Sequence, residues 1–297
     1  MSQIANYMNA YVQLKQLHDL EGWVKTKVSG VGFYRSTHSG DRVPLIYQSG
    51  IILMGQGYKN IYLGEHKMRY GPGDYVVLGV PLPLECEAET EDGKPILGIT
   101  IDVPPALLHS VINHIEKHTQ VKTDSPSENQ LGLKCVSLTD PLQDVFLRLI
   151  KVLQNDAEAE FLGEGIVREI AYRVLQGPMG HVLYERANTD GNYAKVAKVL
   201  DLIHSDYETT LTVEDLADKV HMSVAPFHRA FKQVTAESPL QYIKKVRLMK
   251  ARELIMAEGL KAADAARKVG YNSASQFSRE FKRHFNYTPK ESLAKAS

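Results

Sequence analysis

The feature that most constrains this chain is an internal repeat. Residues 216–233, LADKVHMSVAPFHRAFKQ, resemble residues 265–283, AARKVGYNSASQFSREFKR. Phe227 and Phe277 lie 50 residues apart, and so do Arg229 and Arg279, Phe231 and Phe281, Lys232 and Lys282, and Pro239 and Pro289. Upstream the offset is 49, as for Val220 and Val269. One residue is therefore inserted between the matched blocks, where a turn tolerates it. Fixed-offset self-similarity signals a repeated structural unit, and apolar side chains at helical spacing on both sides of a short break describe a helix–turn–helix. The stretch 193–297 shows no strand alternation.

Each copy can be built from its residues. In the first, Thr212 is placed to cap a helix that carries Glu214 and Asp215 in its first turn. Leu216, Ala217 and Val220 form its apolar face. His221-Met222-Ser223 makes the turn, and Ser223 caps the next helix. Pro226 falls in that helix's first turn, where a missing N–H costs little. Phe227, Ala230, Phe231 and Val234 face inward, whereas Ala225, His228, Arg229, Lys232 and Gln233 face outward. In the second copy Ala265, Ala266 and Val269 face inward, Gly270 turns the chain, and Asn272 or Ser273 caps the next helix. Ala274, Phe277, Phe281 and Phe285 form its inner stripe, with Ser275, Gln276, Arg279, Lys282 and Arg283 off it. Between the copies a connector helix starts at cap Ser238 with Pro239 at its first position. Leu240, Ile243, Val246, Met249, Leu254 and Ile255 give it an apolar stripe.

Outward side chains on the second helix of such a unit are placed to read DNA. Arg grips guanine O6 and N7 with two bonds, and Gln does the same to adenine N6 and N7. Two such helices on one rigid connector would enter successive major grooves, about 34 Å apart. Neighbouring cations would meet phosphates and fix the register. The outward Arg at the same place in both copies distinguishes this arrangement from scattered solvated charge.

Net charge first argues the other way. The 297 residues hold 35 Lys and Arg against 35 Asp and Glu. The balance is uneven, however: residues 1–189 hold 17 basic and 22 acidic side chains, and residues 190–297 hold 18 and 13. The basic half is the helical one, as a nucleic-acid partner requires.

The front half has the other periodicity. Residues 29–103 hold short runs rich in Val, Ile, Leu and Tyr, punctuated by Gly, Pro and Asp. Strands at ~8–12-residue spacing predict an antiparallel sandwich or small barrel. Residues 3–20 and 104–118 read as short helices beside it. PLQDVFLRLIKVLQ and GEGIVREIAYRVLQG then give two helices of an αα-hairpin. The expected fold class is therefore α+β and multidomain. Residues 1–139 form the sheet domain, 140–189 a helical hairpin that links or dimerises, and 190–297 the double helix–turn–helix. No stretch nears the ~20 apolar residues that span a bilayer. The start has no basic region followed by an apolar one, so no secretory signal is expected. Two cysteines make no disulfide framework, and a cytoplasmic, reducing setting is expected.

The motifs SPLQYIKKVRLMKARELI and AARKVGYNSASQFSREFKRHFNYTP resemble those of the AraC/XylS-type transcription factors. The resemblance covers about 193–293. It implies base contacts from Ala225, His228 and Arg229 and from Ser275, Gln276 and Arg279. Lys232, Lys282 and Arg283 are the expected phosphate contacts. Ala236 and Asn286 stand where the family usually has Gly after a helix. The stretch VPLIYQSGIILMGQGYKNIYLGEHKMRYGPGDYVVLGVPLPLECEAE resembles the cupin-like N-terminal domain of an AraC-type subgroup, which implies an effector-sensing, dimerising part.

Catalysis is not expected. A metal-dependent cupin enzyme would present an HxH pair, whereas His66 is followed by Lys67 and Met68; Glu65, His66 and Glu85 are the residues from which a site would have to be assembled. No cofactor or metal is expected. Cys86, Tyr47 and Tyr62 are candidate effector contacts, with Cys86 also a candidate thiol sensor. Tyr34, Leu53 and Tyr75 line a pocket or fill a closed core. Cys135 reads as packing. The function expected is sequence-specific transcription regulation, in which a homodimer binds duplex DNA, responds to a small effector and, as an activator, meets RNA polymerase. Two other readings of the front half stay open: a surface for a protein partner, or a metal-dependent enzyme fused to a DNA-binding tail.

Overall fold

A computed structural model describes residues 2–64, 66–118, 133–187 and 191–294. Contacts divide the chain into two compact units: 1–42, 48–80 and 86–189 in the first, and 43–47, 81–85 and 190–297 in the second.

The chain opens with α1 (Gln3–Leu14), capped by the Ser2 hydroxyl, which accepts from the Ala5 N–H at 3.2 Å. Strands β1 (Gly22–Lys25), β2 (Val31–Ser36), β3 (Gly40–Tyr47), β4 (Gly50–Gln56), β5 (Tyr58–Leu63), β6 (His66–Tyr70), β7 (Asp74–Leu78), β8 (Leu82–Glu89) and β9 (Ile96–Ile101) follow. After α2 (Pro105–His118) comes β10 (Leu133–Ser137). One sheet has the order β1-β2-β9-β4-β7-β10 and the other β3-β8-β5-β6. Registered pairs are antiparallel, such as Phe33 with Ile99 and Leu53 with Tyr75. The punctuation read in the sequence is real: Gly57 and Gly73 take positive φ between strands, and Gly50 does so at the first residue of β4.

Helices α3 (Asp140–Val152), α4 (Asp156–Leu175) and α5 (Gly180–Ala187) complete this part. The α3–α4 hairpin has the expected apolar faces, and α5 adds a third helix beyond the Gly177-Pro178 break. Leu142, Phe146, Leu149, Ile170 and Val174 belong to the same buried cluster as Phe33, Ile51, Leu53 and Ile99. The hairpin therefore covers the six-stranded sheet and shares its core. Burial of each such side chain stabilises by roughly 1.5–3 kcal/mol. Tyr75 and Leu53, read as pocket or core, lie in this cluster almost without exposure.

The helical remainder runs α6 (Asn192–Asp206), α7 (Val213–Lys219), α8 (Val224–Thr235), α9 (Pro239–Glu258), α10 (Ala262–Lys268), α11 (Ala274–Phe285) and α12 (Pro289–Ala294). Among the described residues no helix is long and apolar enough to cross a membrane.

Candidate nucleic-acid interface

Two helix–turn–helix units, α7–α8 and α10–α11, carry the repeat. In the first, the Thr212 hydroxyl accepts from the Asp215 N–H at 3.1 Å and donates to the Asp215 carboxylate at 2.6 Å. This satisfies an amide that the first helical turn leaves open. His221 turns the chain at φ +52°, and the Met222 N–H donates to Ala217 O at 3.0 Å. In the second unit Gly270 turns at φ +83°, and the Tyr271 N–H donates to Ala266 O at 2.9 Å. Ser223 and Ser273 then hold the N-cap positions of α8 and α11. The offset changes between Tyr271 and Ser273, so Asn272 is the inserted residue. Ser273 accepts from the Gln276 N–H at 3.2 Å, whereas the Ser223 hydroxyl makes no capping bond.

The inner faces are aromatic. Phe227 and Phe231 meet edge to face at 5.7 Å, and Phe277, Phe281 and Phe285 form a row of tilted rings at 5.5 and 4.5 Å. Ala274 is exposed, contrary to its expected place in the inner stripe. Tyr271 takes that place from the turn, with its ring 5.3 Å from Phe277. The connector α9 is buried more broadly than one stripe, through Tyr242, Ile243, Val246, Leu248, Met249, Ala251 and Ile255. It packs against α6 and α8 and also against α10, α11 and α12. Leu240, in the first turn, is left 52% exposed.

The outward residues are all on the surface. Ala225, His228, Arg229 and Lys232 on α8 are exposed, as are Ser275, Gln276, Arg279, Lys282 and Arg283 on α11. Among the described residues the side chains of Arg229, Lys232, Arg279, Lys282 and Arg283 make no hydrogen bond or ion pair. Five other cations in this half pair with carboxylates: Lys244 with Glu280, Lys245 with Glu237, Lys250 with Glu253, Arg267 with Asp264 and Lys268 with Glu258. Arg279, Lys282, Arg283 and Asn286 line one shallow concavity. A cation with no protein partner keeps its full attraction for an anionic ligand.

Gln276 is tethered. Its Nε2 donates to Glu280 at 3.2 Å, and Glu280 also accepts from the Tyr271 hydroxyl at 2.8 Å and pairs with Lys244 at 3.3 Å. Burial opposes ionisation of Glu280, but the bonds from Tyr271, Gln276 and Lys244 outweigh it and hold the carboxyl below its ordinary range. No spacing rule pointed to this anchor, because Glu280 looks like any solvated helix residue in sequence.

The front-half candidates are spread out. Cys86 is buried and forms no disulfide. The Tyr62 hydroxyl donates to Glu87 at 2.7 Å, with the Arg42 guanidinium 3.9 Å over its ring. Side chains alternate along a strand, so Glu87, to which the Tyr62 hydroxyl donates, lies on the face of β8 opposite Cys86. Tyr47 is buried. Tyr34 carries the Lys59 ammonium 3.7 Å over its ring. Burial, helped by Asp74, pushes the half-buried Cys135 thiol up to about 11, which leaves it protonated at neutral pH. His66 is exposed on β6, Glu85 lies on β8, and Glu65 is outside the described residues.

Residues 27–182 match the family model of the AraC-type transcriptional regulator N-terminus, and residues 216–295 match a helix-turn-helix domain. The chain belongs to the AraC-type transcriptional regulators. It is a family member with a β-rich N-terminal domain and a helix–turn–helix C-terminal domain.

The HTH-type transcriptional regulator AlkR of Acinetobacter baylyi is 38% identical over 98 residues, 33% of this chain and 32% of AlkR. The HTH-type transcriptional activator RhaS of Escherichia coli is 26% identical over 148 residues, 48% of this chain and 51% of RhaS. The matches thus span a third to a half of these relatives, which are transcriptional regulators. In three dimensions apo ToxT from Vibrio cholerae aligns over 92% of this chain and 100% of its own, with TM-score 0.63 and 12% identity. ToxT bound to an unsaturated fatty acid aligns over 89% and 94%, with TM-score 0.57 and 14% identity. These likenesses establish the shared fold.

Proposed function

We propose that this AraC-type regulator reads a bipartite DNA site with α8 and α11 in successive major grooves, about 34 Å apart. The observation that carries the reading is the pair of exposed, unpartnered arginines, Arg229 and Arg279, at one repeat position on two helices. Ala225, His228 and Arg229 face base edges in one half-site, and Ser275, Gln276 and Arg279 in the other. Lys232, Lys282 and Arg283 neutralise phosphates. Gln276 must exchange its bond to Glu280 for adenine, so it contributes less than Arg279, which gives up no protein partner.

The first unit senses a small effector and dimerises. The likeness to ToxT, solved with an unsaturated fatty acid, supports the effector, and Phe161, 87% exposed on α4 beside Leu162 at 44%, supports the α3–α4 hairpin as the dimer face. The effector biases the orientation of the DNA-binding half. As an activator the protein works in the cytoplasm with RNA polymerase. It is not an enzyme.

A thermal-shift screen of metabolites, including an unsaturated fatty acid, tests the sensor, because a ligand that favours the native state raises apparent stability. A specific shift from one chemical class supports it. Capture of a protein partner with no small-molecule response would replace it. Dimerisation is checked by Phe161→Glu, which should raise the dimer dissociation constant at least about tenfold; an unchanged dimer moves the interface elsewhere.

A further inference from the structure

Arg247 in α9 donates to three backbone carbonyls from three nitrogens of one guanidinium. Its Nε donates to Tyr207 O at 2.7 Å, Nη2 to Thr209 O at 2.6 Å and Nη1 to Gly270 O at 3.3 Å. Tyr207 is the C-cap of α6 and Gly270 follows the C-cap of α10. Both helices thus aim the negative ends of their dipoles at one guanidinium, and their last carbonyls, which lack helical partners, find donors there. The 207–209 loop leads into α7 of the first helix–turn–helix. Gly270 is the turn of the second. One side chain therefore joins the two units at a point separate from the peptide path through α9.

Gly270 shows how close that joint is. A Cβ there would meet Glu208 O at 2.4 Å and the Arg247 Cζ at 3.2 Å. The corresponding turn residue of the first unit is His221, which keeps an exposed side chain at φ +52°. The two copies differ at this position because only the second turn is pressed against another unit.

We propose that Arg247 is the positioning residue that fixes the separation and rotation of α8 relative to α11, and so the half-site spacing that the protein accepts. The proposal rests on the reading of α8 and α11 as the two base-reading helices. One base pair of extra spacing moves a half-site by about 3.4 Å and about 35° around the duplex. A clamped pair of helices cannot follow that step, whereas a loosened pair can. Lys keeps the charge but presents a single point in place of a planar fork.

The test uses the full chain and a DNA library in which the wild-type half-sites are separated by stepwise spacers. Wild type should discriminate against one-base-pair steps by about tenfold or more. Arg247→Met should do so by about twofold or less while keeping the base preference of each half, with Arg247→Lys between them. Arg247→Met retaining tenfold selectivity at the same spacing overturns the proposal. A wild type with no bipartite preference removes the base-reading premise and the spacing claim together, and differs because wild type itself then lacks selectivity. The clamp is also measured without DNA. Spin labels at Lys219→Cys and Lys290→Cys, with Cys86 and Cys135 replaced by Ser, should give one narrow distance that broadens at least about twofold in Arg247→Met. An unchanged width overturns the clamp.

Discussion

Arg279 and Lys282 sit one helical turn apart on α11 and should fail differently. Arg279→Ala removes a two-bond grip on a base, so it should cost about 1–3 kcal/mol at one base pair and relax preference there. Lys282→Ala should weaken all sequences alike and lower the salt slope by about 1. Competition binding across single-base variants at two salt concentrations separates them. Ala236 gives a stability prediction at the same scale. It ends α8 at φ +61°, where a Cβ is strained, while Asn286 does the same for α11 with a residue that tolerates it. Ala236→Gly should raise unfolding stability by about 1 kcal/mol, read as a higher urea midpoint; a lower midpoint would contradict the strain. These residues were legible in sequence because the repeat aligned them. Arg247 was not: a single Arg in a basic helix has no spacing signal, and its carbonyl partners lie 23 to 40 residues away.

At the level of elements, helices were easier to read than strands. Phe227 and Phe231, or Phe277 and Phe281, report their helix from within one turn. Strand β10 pairs with β7 across about 60 residues and is five residues long, so its LKCVS text gave only a packing role for Cys135. The connector α9 was read as having one apolar stripe because periodicity counts one face, whereas two units pack on it. Two histidines in these helices give a pH prediction. Burial, reinforced for His204 by Lys250 and for His284 by Lys245, Arg252 and Arg283, holds both neutral with pKa about 4. The unfolded chain has an ordinary value near 6.5. Between the two the unfolded state binds protons that the folded state refuses, so stability falls as pH drops from about 6.5 to about 4 and is level above that window. The loss should reach up to roughly 3 kcal/mol for each histidine. His204→Gln should lessen the drop in urea midpoint between pH 7 and pH 5. An equal drop in that variant would assign it to other groups.

Across the whole molecule, a zero net charge hides a division of labour. The acidic excess lies in 1–189 and the basic excess in 190–297, and the cations on α8 and α11 are exposed and without carboxylate partners. The central claim is that these two helices read two half-sites. It is tested most directly by selecting sites from random duplex DNA with wild type, Arg229→Ala and Arg279→Ala. The account predicts two half-sites about one helical turn apart, with Arg229→Ala losing a position in one half and Arg279→Ala a position in the other. A single undivided motif, or the same motif from all three proteins, would contradict it.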